Sequence, residues 1–184
     1  MNKFAVASLA LGLLIGAPAH ATSLLTNGDF ATGTFAGWTH TGDVTVTTGQ
    51  VIFNAGDTAP NGVITQSVAT EIGTNYLLTY QFISASPSLP IMSLTASASD
   101  QAHILATELS TPTSGGTFYT FSLLFTADTT LSTISFADVA TNRTQSNDSG
   151  LEHVSLTAVP EPASLSLLGV GLAGLGWLRR RKAV

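Results

Sequence analysis

Residues 75–85 read NYLLTYQFISA, and residues 117–127 read TFYTFSLLFTA. In the first stretch Tyr76, Leu78, Tyr80 and Phe82 lie on one side of an extended chain, with Thr79 and Gln81 on the other. In the second, Tyr119, Phe121, Leu123 and Phe125 share a side, opposite Thr120, Ser122 and Thr126. A strand alternates its side chains every two residues, whereas a helix would scatter both sets around its circumference. One apolar and one polar face is what an antiparallel sheet needs when only one side packs on a core.

Working outward, similar short runs separated by turn residues predict strands over 43–48, 51–55, 63–69, 91–99, 103–109, 133–140 and 150–158, besides the two quoted. No helical periodicity of useful length and no internal repeat appears in this region. Residues 110–116 and 141–150 are polar and read as flexible loops. The expected fold class is therefore all-β, an antiparallel β-sandwich of the jelly-roll type spanning residues 22–158. Phe118 and Tyr119 are adjacent in an alternating run, so one of them must face away from the core and is a candidate for a binding face.

Composition narrows the function classes. Only 9% of the 184 residues are charged, against roughly 25% in an average soluble protein. Polarity comes from hydroxyl and amide side chains. Residues 22–158 hold one basic residue, Arg143, against ten acidic ones, a net charge of −9. With no basic patch to neutralise phosphates, nucleic acid is not a partner. The chain has no cysteine, which excludes disulfides, thiolate metal sites and thiol nucleophiles. Packing, with or without a metal ion, must hold the fold.

Both ends read as targeting segments. Lys3 is followed by an apolar run from Phe4 to Ala17 and by Ala19-His20-Ala21, a small-x-small cleavage site. Residues 1–21 are therefore expected to be a secretory signal peptide, with Thr22 opening the mature chain. At the other end, Ala163 to Leu178 is a run of 16 residues without charge, somewhat short of the roughly 20 residues of a full span. Trp177 stands at its edge, and Arg179, Arg180, Arg181 and Lys182 follow. This order predicts a transmembrane helix with a cytoplasmic basic stop and an exported ectodomain. Gly169, Gly171, Gly174 and Gly176 weaken that helix, which suits temporary retention. Pro160-Glu161-Pro162 cannot continue a strand or a helix interior and leaves an extended, protease-accessible linker.

The sequence Val159-Pro160-Glu161-Pro162-Ala163, the glycine-rich apolar segment and the basic cluster together resemble the PEP-CTERM sorting signal, over residues 159–184. The resemblance implies recognition by a membrane protease-transpeptidase, exosortase, which cuts near Pro160, Glu161 and Pro162. It further implies passage from an inner-membrane tethered intermediate to the cell surface or beyond, in bacteria that make exopolysaccharide. Pro-rich single-pass anchoring without cleavage is the plainer reading of the same residues.

The opening LLTNGDFATGTFAGWTHTGDVTV (residues 24–46) and the closing GLEHVSLT (residues 150–157) are similar to the edges of galactose-binding-like sandwiches, carbohydrate-binding modules among them. That resemblance implies a structural calcium where first and last strands meet. Ala31 stands where one carboxylate ligand is usual, and Glu152 where another is. Glu152 shares its strand face with Val154 and Leu156 and is expected to point inward, where a cation would satisfy it; a solvated strand-end acid is the alternative. Trp38 is expected in the core, with stacking on a sugar as its other reading.

No catalytic constellation emerges. His40, His103 and His153 lack metal-ligand spacing and read as structural. Ser114-Gly115-Gly116 lacks the frame of a nucleophile elbow. Asn142-Arg143-Thr144 and Asn147-Asp148-Ser149 match a glycosylation sequon but read as loop composition. The expectation is a non-enzymatic, exported protein with a structural or adhesive role in an extracellular polysaccharide or biofilm matrix. A carbohydrate-binding module with a defined sugar ligand is the alternative, and a glycan hydrolase using two carboxylates is a third reading.

Overall fold

A computed structural model describes residues 22–139 and 147–160. Ten strands run β1 Thr39–Thr41, β2 Val44–Thr47, β3 Gln50–Phe53, β4 Val63–Ala69, β5 Asn75–Ser84, β6 Leu94–Ser99, β7 Ile104–Ser110, β8 Tyr119–Thr126, β9 Leu131–Asp138 and β10 Ser149–Ala158. They form two five-stranded sheets, in the orders β1-β4-β9-β6-β7 and β2-β3-β10-β5-β8, and every strand pairing is antiparallel. The chain crosses repeatedly from one sheet to the other, as a jelly-roll sandwich requires. Among the described residues no helix is long and apolar enough to cross a membrane. The expected transmembrane helix and signal peptide lie outside the described residues.

The two quoted stretches are neighbours. β5 pairs with β8 from Asn75↔Thr126 to Phe82↔Tyr119, so their apolar faces form one surface. Tyr76, Leu78, Tyr80 and Phe82 are all buried, as are Leu123 and Phe125. Across the sandwich they meet Ile64, Val68, Leu94, Ile134 and Phe136 of the other sheet in a single core. Tyr80 meets Phe136 edge to face, with ring centroids 4.9 Å apart, the arrangement the ring quadrupoles favour. The Tyr80 hydroxyl bonds with the Ser110 hydroxyl and the Tyr76 hydroxyl accepts from the Glu71 N–H at 2.9 Å, so both polar tips of this β5 face are satisfied. Burial pushes the Tyr80 pKa up to about 12.

Nine of the strands follow the expected runs. β1 was not expected: its three residues, Thr-His-Thr, are all exposed. It exists only because Thr39 to Thr41 meet the ready edge of β4, so no hydrophobic pattern announces it. Asn147 and Ser149, expected in a flexible loop, are buried instead. The Asn147 side-chain amide donates to Ser84 Oγ at 3.1 Å and to the Pro90 carbonyl at 2.9 Å. Its Oδ1 accepts from the Ser86 N–H at 2.8 Å. These bonds anchor the start of β10 to the end of β5.

The expectation for Glu152 is corrected. β10 pairs with β5 at Glu152↔Gln81 and resumes at Ser155↔Thr79, so two residues oppose Tyr80. This is a β-bulge, with His153 at φ +51°, and the extra residue flips the alternation. Leu151 before it and Val154 and Leu156 after it all point into the core. Glu152 therefore stands on the outer face beside Gln81, not inward.

The opening segment docks onto this bulge. The Gly28 carbonyl accepts from the Val154 N–H at 2.8 Å, and the Leu24 N–H donates to the Leu156 carbonyl at 2.8 Å. A Cβ at Gly28 would lie 2.1 Å from the Val154 carbonyl oxygen, so only glycine permits the approach. Phe30 and Trp38 then cap the core. The Trp38 indole N–H donates to the Asn27 carbonyl at 3.3 Å, which settles Trp38 as a core residue.

This division of faces predicts contrasting losses. Phe82→Ala, in the sealed interlayer, is expected to cost ~3–5 kcal/mol by urea denaturation. Leu124→Ala, on the opposite face of β8 and 60% exposed, is expected to stay within about 0.5 kcal/mol.

Candidate functional site: a groove on the outer face of the second sheet

The outer face of β3, β10 and β5 carries a groove of about 360 Å³. Its lining brings Gln50 and Ile52 from β3 together with Gly150 of β10, Ile83 and Ala85 at the end of β5, and Phe118 just before β8. Gly150 pairs with both Ile52 and Ile83, so it sits at the centre of the floor. A Cβ there would fall 2.0 Å from Gln50 Nε2 and 2.9 Å from Ile83 Cγ2. The missing side chain is what lets the Gln50 amide lie across the floor.

Phe118 reaches the groove by simple alternation. Tyr119 pairs with the inward Phe82, so its predecessor faces outward. Gly116, at φ +77°, turns the chain so that its N–H donates to the Ser84 carbonyl at 2.7 Å. The glycines of Ser114-Gly115-Gly116 thus make the turn that delivers the aromatic. The Tyr119 hydroxyl meets Ser114 Oγ at 2.8 Å and accepts from Thr113 Oγ1 at 3.0 Å. These bonds, that from Ser114 foremost, hold its pKa below the ordinary tyrosine value.

Asp148 completes the lining at one end. Its carboxyl is pushed above the usual carboxylate range, first by burial and then by the like charges of Asp57 and Asp43. Among the described residues there is no lysine or arginine to offset this. The groove can therefore offer an aromatic face, two isoleucines, an amide and a carboxyl. That is a surface for a neutral, hydroxyl-bearing ligand, one with apolar C–H faces and polar edges.

The other expected site residues fall elsewhere. His40 is exposed and stacks on Phe35 with ring centroids 4.0 Å apart. His153 Nδ1 lies 3.2 Å from Glu152 Oε1. His103 lies between two aspartates, with Nε2 2.8 Å from Asp128 Oδ2 and Nδ1 3.4 Å from Asp100 Oδ1. Among the described residues, Asp100, His103 and Asp128 are the one group of three such side chains whose ligand atoms converge; Glu152 pairs with His153 and is not in such a group. Pro160 follows β10 directly, after the Val159 N–H donates to the Asn75 carbonyl at 2.8 Å. Ala19, Ala21, Glu161, Pro162, Arg179, Arg180, Arg181 and Lys182 lie outside the described residues. Sequence reasoning reached Phe118 and missed Gln50, Ile52, Ile83, Asp148 and Gly150 as a set. The available signal was Ile83, an isoleucine on the face of β5 that Thr79 and Gln81 make polar.

Residues 158–182 match the PEP-CTERM protein-sorting motif, which marks an exported chain. No curated protein matches the sequence. Among solved structures, the sandwich is similar to TmCBM61 in complex with beta-1,4-galactotriose, with a TM-score of 0.56 at 14% identity, covering 76% of this chain and 100% of that one. It is similar also to the N-terminal cellulose-binding domain of beta-1,4-glucanase C from Cellulomonas fimi, with a TM-score of 0.53 at 18% identity, covering 77% and 100%. A third match is the enzymatically active domain of tailspike protein 4 from bacteriophage CBA120, with a TM-score of 0.56 at 16% identity; it covers 74% of this chain but 21% of that one. The fold is thus a carbohydrate-binding-module-like β-sandwich.

The electrostatics of the groove can be checked directly. Asp57→Asn removes the stronger of the two like charges acting on Asp148 and is expected to lower its pKa in a carboxyl-carbon NMR titration. In the unaltered protein the native state keeps this proton to higher pH than the unfolded chain does. The Asp148 contribution to stability accordingly falls as pH rises from about 3.9 through the native value, and Asp57→Asn narrows that window.

Proposed function

We propose that this chain is an exported, surface-sorted and non-enzymatic protein whose sandwich binds glycan through the groove on the β3-β10-β5 face. It serves an adhesive role in an extracellular polysaccharide or biofilm matrix. The observation that carries the reading is the groove itself: Phe118, Ile52 and Ile83 supply apolar surface beside Gln50 and Asp148, on a floor opened by Gly150. Sugar rings present just such alternating faces, and their hydroxyls pair well with amides and carboxyls. The likeness to sandwiches whose titles name galactotriose and cellulose supports the same ligand class.

A binding role is favoured over hydrolysis by the lining. Glycosidases place two carboxyls about 5 to 9.5 Å apart across the scissile bond, and Asp148 is the one acid among the described lining residues.

The sorting motif supplies the route. Residues 1–21 direct export and residues 22–158 form the ectodomain. Residues 159–184 tether it to the inner membrane until an exosortase cuts near Pro160, Glu161 and Pro162. The last strand ends at Ala158, so a cut in that motif severs the tether without removing a strand.

Two measurements test this. The full chain in detergent is expected to retain neutral β-linked oligosaccharides on a glycan array, with little dependence on salt. Phe118→Ala should lower that affinity about tenfold, ~1.4 kcal/mol, while leaving the thermal midpoint near that of the parent. Unchanged binding in Phe118→Ala would move the site elsewhere. Intact-mass analysis of surface-exposed protein should show loss of residues 1–21 and of Arg179 to Lys182; retention of those basic residues would remove the exosortase step.

A further inference from the structure

The geometry points to a divalent transition-metal site formed by Asp100, His103 and Asp128, at the end of β8 remote from the groove. It stands independently of the glycan-binding reading.

The three residues come from two turns. Asp100 and His103 bound the turn between β6 and β7, and Asp128 lies in the turn by which the chain passes from β8 to β9. Their ligand atoms all lie within 4.8 Å of one another. The His103 ring stands between the two carboxyls, with Nδ1 3.4 Å from Asp100 Oδ1 and Nε2 2.8 Å from Asp128 Oδ2. Two carboxylates held this close repel unless a cation stands between them. Among the described residues there is no lysine or arginine to supply it.

Preorganisation favours an ion over a loose surface pair. The Asp100 side chain is only 2% exposed. Its Oδ1 accepts from the backbone N–H groups of Ala102 and His103, both at 2.7 Å. These bonds fix the carboxyl in one orientation, so this ligand is already ordered. The His103 and Asp128 side chains are 56% and 44% exposed, which leaves the approach open. One imidazole nitrogen and two carboxylate oxygens suit Zn²⁺ or a neighbouring first-row ion better than Ca²⁺, which prefers six to eight oxygens. Water would complete the coordination. Bound there, the ion cross-links the β6–β7 turn to the β8–β9 turn, a constraint that a cysteine-free exported chain cannot obtain from a disulfide.

The experiment is metal titration of the full chain in detergent, first stripped with a chelator. Saturating Zn²⁺ is expected to raise the thermal midpoint by about 4 °C or more, reversibly on chelation, and to shift the His103 ring signals in NMR. His103→Gln should abolish the rise in midpoint, and Asp128→Asn both the rise and the ring shift, while the metal-free midpoint of each stays close to that of the parent. Ca²⁺ at the same concentration should leave the midpoint unchanged. The site is refuted if Zn²⁺ has no effect on the parent chain, or if both variants respond to Zn²⁺ as the parent does. An equal response to Ca²⁺ would overturn the transition-metal assignment.

Discussion

The contact on which the rest of the molecule depends is the one between the two sheets, where Tyr80 and Phe82 of β5 meet Phe136 and Ile134 of β9. A chain with so few charges and no disulfide has little besides apolar burial to offset the conformational entropy of ordering. Alternation along β5 and β8 concentrates that burial on one face. The opposite face is then free of any packing duty. It carries threonine, serine and glutamine, with Leu124 and the isoleucines of the groove among them.

The bulge in β10 turns this plain sandwich into one with a site. One extra residue between Glu152 and Ser155 reverses which side chains point inward. Leu151 remains in the core on one side of it, and Val154 and Leu156 on the other. Gly150 and Glu152 are thereby left on the outer face. The same distortion accepts the Asn27–Phe30 turn, through the bond between Val154 N–H and the Gly28 carbonyl. The feature that locks the first segment to the last strand also fixes where the groove floor lies.

The two ends of β10 divide the proposed work. Its first residues, with Asp148 before them, line the groove; its last residue leads into Pro160 and the sorting motif. A ten-residue strand spans about 33 Å, so a ligand in the groove sits far from a tether at the tail. The cluster of Asp100, His103 and Asp128 lies at the tail end of the sandwich, because β8 runs from Tyr119, next to Phe118 at the groove, to Thr126, two residues before Asp128. The groove and the cluster thus lie at opposite ends of one core.

The alternation of Tyr76, Leu78, Tyr80 and Phe82 was enough to establish strands and an antiparallel sandwich, because period-two burial is a local property of the chain. The sorting motif was legible for the same reason: its proline motif, apolar run and arginines are contiguous. The face of Glu152 was not legible, since a bulge is a mismatch between two strands and neither strand records it alone. Nor was β1, whose exposed threonines pair only because the β4 edge happens to be there. The groove joins Gln50, Ile83, Phe118 and Gly150, and the aspartate pair around His103 joins positions 100 and 128. Such sites arise from pairing partners distant in sequence, so only the tertiary structure could decide them.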